Sequence, residues 1–357
     1  MIKKIIRIFL MVVGVIIFIL SLTVFYQYKQ IHYDRIFYLT DSIVEERLRN
    51  YGFSVLERKN VREGFFPSHL VGQIKAEIPR EISLDDLSEK IRKDFFLAGC
   101  DILYWKEENK KDTYEILADI GKEEVLTHRL QFLLKKAKIA LLIDDFGYTD
   151  DGKLLDLFFN QLNIPFSVSI IPGTPFAGEI ASRAHFAGKQ ILVHMPMEPQ
   201  EIFQNRYKWI ILKKMSKEQI KNTLREAIES VPYAEGLNNH MGSLITSRED
   251  LMRPILEVLK DKKLFFVDSK TTSQSVGYLI AKKLQVKTAS RSVFLDNYKD
   301  LAYIKGQFNE LLSLALKRGK ALGLGHADPR VGTALVSLVK ECDTRKFQFV
   351  LISEILD

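Results

Sequence analysis

From residue 137 onward the chain keeps repeating one texture: a short aliphatic run, a polar residue where it stops, then an amphipathic segment. The runs "KIALLID", "PFSVSII", "QILVHM", "LFFVDS", "VFLD", "KALGLGH" and "FVLISEI" read as strands, and between them lie helical patterns. In "SKEQIKNTLREAIESV", Ser216 and Gln219 form a capping-box pair, and Ile220, Leu224, Ala227 and Ile228 fall on one face. "SREDLMRPILEVLKD" repeats the plan with Ser247 and Asp250. Aliphatic strands that alternate with helices imply an α/β fold, its parallel sheet covered on both sides. Seven or so such units either close into a barrel or lie open, and in both cases a site belongs at the carboxyl ends of the strands.

The polar residues obey that rule. Asp144 and Asp145 end the first strand, His194 the third, Asp268 the "LFFVD" strand and His326 "ALGLG", while His240 follows the weaker candidate "GLNN". Two adjacent carboxylates at the edge of a core repel each other and lose hydration, so a cation is expected to hold them. Asp145, His194 and His240 make a two-histidine, one-carboxylate ligand set for a divalent metal with open coordination positions. Asp144 then serves as a base toward water held by that ion, whose pKa falls to roughly 7. His326 protonates a leaving group, an arrangement suited to amide or ester hydrolysis. Each residue also has a purely structural alternative: a cap of the following turn or helix for Asp144, a helix cap for Asp268, a core histidine at 194, a turn residue at 240, and a plain structural histidine between Gly325 and Ala327 at 326.

The motifs "IDDFG", "HMPMEP", "NNHMGS", "VDSKT" and "GHADP", in that order over residues 137–357, resemble the divergent polysaccharide deacetylases, a branch of the metal-dependent polysaccharide deacetylase superfamily. The resemblance implies a distorted (β/α) barrel of about seven strands and a metal, zinc by expectation, held by Asp-His-His. It implies Asp144 as base, Asp145 as ligand and His326 as acid, with an acetylated envelope glycan as substrate. Two departures stand out. The superfamily's second histidine, four residues after the first, is replaced by Glu198, so His240 becomes the candidate ligand and Glu198 a ligand or a contact for a sugar, alongside Asn239 and Asp268. The superfamily's Arg-x-Pro motif is missing, leaving open what orients the base. A degenerate deacetylase fold acting as a membrane-anchored scaffold is the alternative. A metal-free glycoside hydrolase using Asp145 and Glu198 is a further one.

The remaining chain suggests where such a site would reside. "MIKKIIRIFLMVVGVIIFILSLTVFYQYKQ" carries Lys3, Lys4 and Arg7, then an uncharged apolar stretch from Ile8 to about Tyr26. That length matches the roughly 20 residues that cross a bilayer. Tyr26 and Tyr28 are placed for an interfacial aromatic belt, and the leading charges favour a cytoplasmic start. We expect a signal anchor over residues 1–30, with the bulk extracytoplasmic. Residues 31–132 read as a small α+β domain that could recruit an envelope protein partner. It comprises a helix stopping at Gly52, a strand "LVGQIKAEIP", a helix opened by Ser83 and Asp86, and the strand pair "DILYWKEE" and "TYEILADIG". His69 and His128 read as surface or packing residues there. The net charge of +7 comes from Lys and Arg interleaved with Asp and Glu, which argues against nucleic acid as a partner. Cys100 and Cys342 belong to no CxxC pair and are expected to be free thiols.

Overall fold

The computed structural model describes all 357 residues, which divide into two compact units, Met1–Lys136 and Ala137–Asp357. The first begins with one continuous helix, α1 (Ile2–Asn50). No break falls near residue 30, because no Gly or Pro stands between Tyr26 and Asn50 to interrupt the backbone ladder. α1 ends where Gly52 turns left-handed and the Phe53 amide bonds back to the Leu48 carbonyl. Its last five turns bury Ile36, Phe37, Thr40, Val44 and Leu48 along one stripe.

That stripe packs on a sheet of β1 (Ser54–Glu63), β2 (His69–Glu77), β3 (Asp101–Asn109), β4 (Thr113–Lys122) and β5 (Val125–Lys135), ordered β1-β2-β5-β4-β3. β2 and β5 run parallel and the other pairs antiparallel. Between β2 and β3, α2 (Leu87–Leu97) buries Leu87, Ile91 and Phe95. The cap expected from Ser83 does not form: α2 starts after Asp86, whose own backbone is left-handed and whose side chain caps nothing. β1 escaped the sequence reading because it is almost wholly exposed and shows no alternation.

The second unit is a curled parallel sheet between helices. Its elements run β6 (Ala137–Phe146), α3 (Gly152–Asp156), β7 (Ser167–Ile170), α4 (Ala177–Phe186), β8 (Gln190–Met197), α5 (Lys217–Glu229), β9 (Ala234–Met241), α6 (Glu249–Asp261) and β10 (Phe265–Asp268). They continue α7 (Gly277–Lys283), β11 (Thr288–Ser290), β12 (Val293–Phe294), α8 (Leu301–Arg318), β13 (Lys320–His326), α9 (Pro329–Lys340) and β14 (Phe347–Val350). The order is β11-β10-β9-β8-β7-β6-β13-β12, with β14 paired to the first half of β6. The sheet has nine strands where the sequence suggested about seven, the additions being β9 and the three-residue β11.

Alternation along the strands sorts the core. Ile139, Leu141 and Ile143 face the helix layer, together with Ile191, Val193 and Phe266. Ala140, Leu142, Leu192, Val267, Leu322 and Leu324 form a second, inner cluster closed by Val350, Ile352 and Ile355. Strands buried on both faces read as unbroken aliphatic runs, as these do. The inner rows then fix the site, because each inward position recurs every second residue. Ala140 and Leu142 lead to Asp144, Leu192 to His194, and Leu322 and Leu324 to His326.

Candidate metal centre

Register brings these row ends together. Asp144 pairs with His326 across β6 and β13, and His194 with Asn238 across β8 and β9. Asp145, next along, would point to the other face if the strand continued regularly. Instead its φ is 63°, and the β6–β7 pairing is irregular between Ile143 and Phe146. Asp tolerates this left-handed conformation better than most residues. The kink delivers both neighbouring carboxylates to one place.

Asp145 Oδ1 lies 3.2 Å from His194 Nε2 and 3.0 Å from His240 Nδ1, and the two nitrogens are 3.0 Å apart. The ligand atoms of all three residues fall within 4.8 Å of one another. Asp145 Oδ1 is buried and makes no hydrogen bond of good geometry. A tetrahedral ion with ligands at about 2.0–2.1 Å separates them by roughly 3.3 Å, close to the triangle seen. An orphaned carboxylate oxygen facing two imidazole nitrogens fits a divalent cation.

The outer partners fix which nitrogens are bare. Asn238 Nδ2 lies 3.2 Å from each Asp144 oxygen and 3.0 Å from Ser269 Oγ. A carboxylate only accepts, so the amide nitrogen must face Asp144 and Asn238 Oδ1 must face His194 Nδ1, at 3.1 Å. Ser169 donates to the same Oδ1. His194 therefore carries its proton on Nδ1 and leaves Nε2 free. His240 Nε2 meets the Tyr207 hydroxyl at 2.8 Å, leaving Nδ1 for the cluster.

Burial pushes His194 down to about 4, so it is neutral near pH 7. Burial also works against ionising Asp145, yet its contacts with His194 and His240 hold it below the usual carboxylate range. Asp144 is pushed well up, first by complete burial and then by the charge of Asp145. On the far side, His326 Nδ1 sits 3.1–3.2 Å from both oxygens of the buried Asp296, whose Oδ2 also accepts the His326 amide. Burial opposes charging His326, but Asp296 outweighs it and the pKa is raised. His326 Nε2 is 3.8 Å from Asp145 Oδ2.

Three expected contacts are not brought to this cluster. Glu198 accepts the Lys213 amide at 2.6 Å and ties down the loop after β8. Asn239 is buried, donating to the Met241 carbonyl and accepting the Ser269 amide. Asp268 is wholly buried and accepts from the Lys270 amide, Ser275 Oγ and the Tyr278 amide. Asn239 and Asp268 are closed off by these bonds, whereas Glu198 stays half-buried. The site residues that sequence reasoning missed are Asn238, Asp296 and Tyr207. Asp296 ends "VFLD" and obeyed the strand-end rule; Asn238 lies two residues before His240 on the same row. Tyr207, in an irregular loop, carried no signal.

Residues 141–356 match the profile of the divergent polysaccharide deacetylases, and the chain belongs to that family. It is 37% identical over 205 residues to the uncharacterized protein YibQ of Escherichia coli K12, a match covering 57% of this chain and 62% of that one. The match therefore spans less than two thirds of that relative. An uncharacterized Haemophilus influenzae protein is 35% identical over 200 residues, covering 56% of this chain and 69% of its own. The uncharacterized protein ATU2773 from Agrobacterium tumefaciens C58 superposes with a TM-score of 0.59 at 18% identity, over 62% of this chain and 89% of that one, and shares the fold.

Proposed function

We propose that the protein is a metal-dependent deacetylase of an acetylated envelope glycan, anchored by the apolar part of α1 with the bulk of the chain extracytoplasmic. The observation that carries the reading is the convergence of Asp145 Oδ1, His194 Nε2 and His240 Nδ1, with Asp144 and His326 beside them. An ion held by Asp145, His194 and His240, most simply zinc, supplies a Lewis acid for the acetyl carbonyl and eases ionisation of water. Asp144 takes the proton from the attacking water, its basicity raised by burial. Asn238 holds that carboxyl in place and so takes the orienting task that the missing Arg-x-Pro motif leaves vacant. His326, its pKa raised by Asp296, gives its proton to the departing amine or alcohol as the C–N or C–O bond breaks, releasing acetate.

The test is elemental analysis of the purified full-length chain in detergent, beside Asp145→Ala, with acetate release measured on N- and O-acetylated oligosaccharides. One equivalent of metal in the parent and none in the variant, with acetate release abolished by a chelator, is the expected result. A metal-free parent, or acetate release that survives both the chelator and Asp145→Ala, overturns it.

A further inference from the structure

We propose that the turn joining β1 to β2, residues 64–67, is a second membrane contact, with Phe65 and Phe66 seated in the interfacial layer of the bilayer that α1 crosses. This rests on the reading of α1 as a membrane anchor. The turn reads "GFFP", and Phe65 and Phe66 are 102% and 73% exposed. Two adjacent phenylalanines at the tip of a water-facing hairpin are an apolar patch without a function unless something apolar covers them.

Position along α1 says what covers them. Phe66 stacks on Tyr26, ring centroids 4.2 Å apart. The hairpin then climbs the helix away from that point. Ser68 reaches Gln30, His69 lies edge-on to Tyr33, and Arg62 pairs with Asp34 at 3.1 Å. The tip is therefore at the level of Tyr26, the last residue of the apolar stretch. The charged partners, including the His32–Glu123 contact, lie up to two turns beyond it. Apolar surface toward the bilayer, an aromatic level at its edge and charge just above it is the ordering of a membrane interface. A turn with unpaired backbone groups is tolerated there, though not deeper in the hydrocarbon. The two phenylalanines extend the belt begun by Tyr26 and Tyr28 from one helix to a broader footing.

The experiment uses the full chain in phosphatidylcholine vesicles, with an indole introduced by Phe65→Trp and read as the difference from the parent, which holds Trp105 and Trp209. Position 65 is fully exposed, so the larger ring displaces nothing. Phe96→Trp serves as the control: Phe96 is exposed on α2, next to the Asp94–Tyr51 contact at the far end of α1. That level is about 37 Å along the helix from Tyr26 at ~1.5 Å per residue. The added emission at 65 should be quenched by lipids brominated near the carbonyl end of their chains and protected from aqueous acrylamide, and at 96 the reverse. Acrylamide quenching at 65 equal to that at 96, or shielding from both quenchers, overturns the proposal, the latter indicating a protein cover. Vesicle flotation separates the two readings. A chain that does not float refutes the anchor; a chain that floats with an acrylamide-accessible indole at 65 refutes the tip contact alone.

Discussion

Asn238 holds two functions in one amide, its nitrogen on Asp144 and its oxygen on His194. Replacing it separates them. Asn238→Leu keeps the branched shape and removes both bonds, so metal affinity is expected to fall by roughly 10–100-fold, the usual cost of losing a partner behind a ligating histidine. Turnover should fall with it. Asn238→Asp retains an acceptor for His194 Nδ1 and sets a second carboxyl against Asp144, so it should bind metal better than the Leu variant while releasing little acetate. Metal titration beside an acetate assay reads the difference. Asp296→Asn tests the other side: it removes the charge behind His326 and should lower kcat with metal content unchanged, since Asp296 bonds none of the three ligands. These residues show how much of the site was legible. Asp144, Asp145, His194 and His326 announced themselves because an acid or imidazole at the end of an aliphatic run conflicts with its surroundings, whereas His240 followed only the weak run "GLNN". Asn238 is neutral and sits among other small polar residues, so no such conflict exposed it. Glu198 was picked out by its place four residues after His194 and Asp268 by its strand end; in the structure both, and Asn239, accept hydrogen bonds from loop backbone.

Among elements, two helix starts that look alike in sequence differ in structure. Ser216 caps α5 reciprocally with Gln219, whereas Ser247 Oγ turns back to the Leu244 carbonyl and Asp250 is taken by the Arg248 guanidinium. Ser216→Ala should therefore destabilise by about 1 kcal/mol and Ser247→Ala by less, measured by urea unfolding. The pattern Ser-x-x-polar states that a cap is possible; a competing arginine decides whether it forms. β9 was faint in the sequence because "AEGLNNHM" has few aliphatic residues. Gly236 explains one of them, since a Cβ there would come within 2.4–2.6 Å of the Phe265 ring across the parallel pair. Gly236→Ala should cost roughly 1–3 kcal/mol by overpacking. It should also loosen metal binding, because Asn238 and His240 stand two and four residues further along the same strand. A loss of stability with metal affinity intact would show that β9 places its site residues independently of its foot.

At the scale of the whole molecule, each unit has its own chemistry. In the first, His128 is fully buried, stacked on Phe37 and bonded to Asp41 at 2.8 Å. Burial holds its pKa below 6.5 despite the pull of Asp41. The folded state thus refuses a proton that the unfolded chain accepts, so His128 costs nothing above about pH 6.5 and reduces stability as the pH falls below it. Urea midpoints followed through Trp105 should drop between pH 7.5 and 5.5, and His128→Gln should flatten that dependence. An equal drop in the variant would assign the effect to other groups.

The unbroken run of α1 from Ile2 to Asn50 also sets a phase. With no joint between the apolar stretch and the five-stranded sheet, each residue inserted before Tyr26 lifts the first unit by ~1.5 Å and swings it by about 100° around the helix axis. Seven added residues restore the original azimuth to within about 20° and change only the height, whereas two reverse the side of the helix on which the sheet hangs. For this chain the length of the spacer is an angular quantity as much as a linear one.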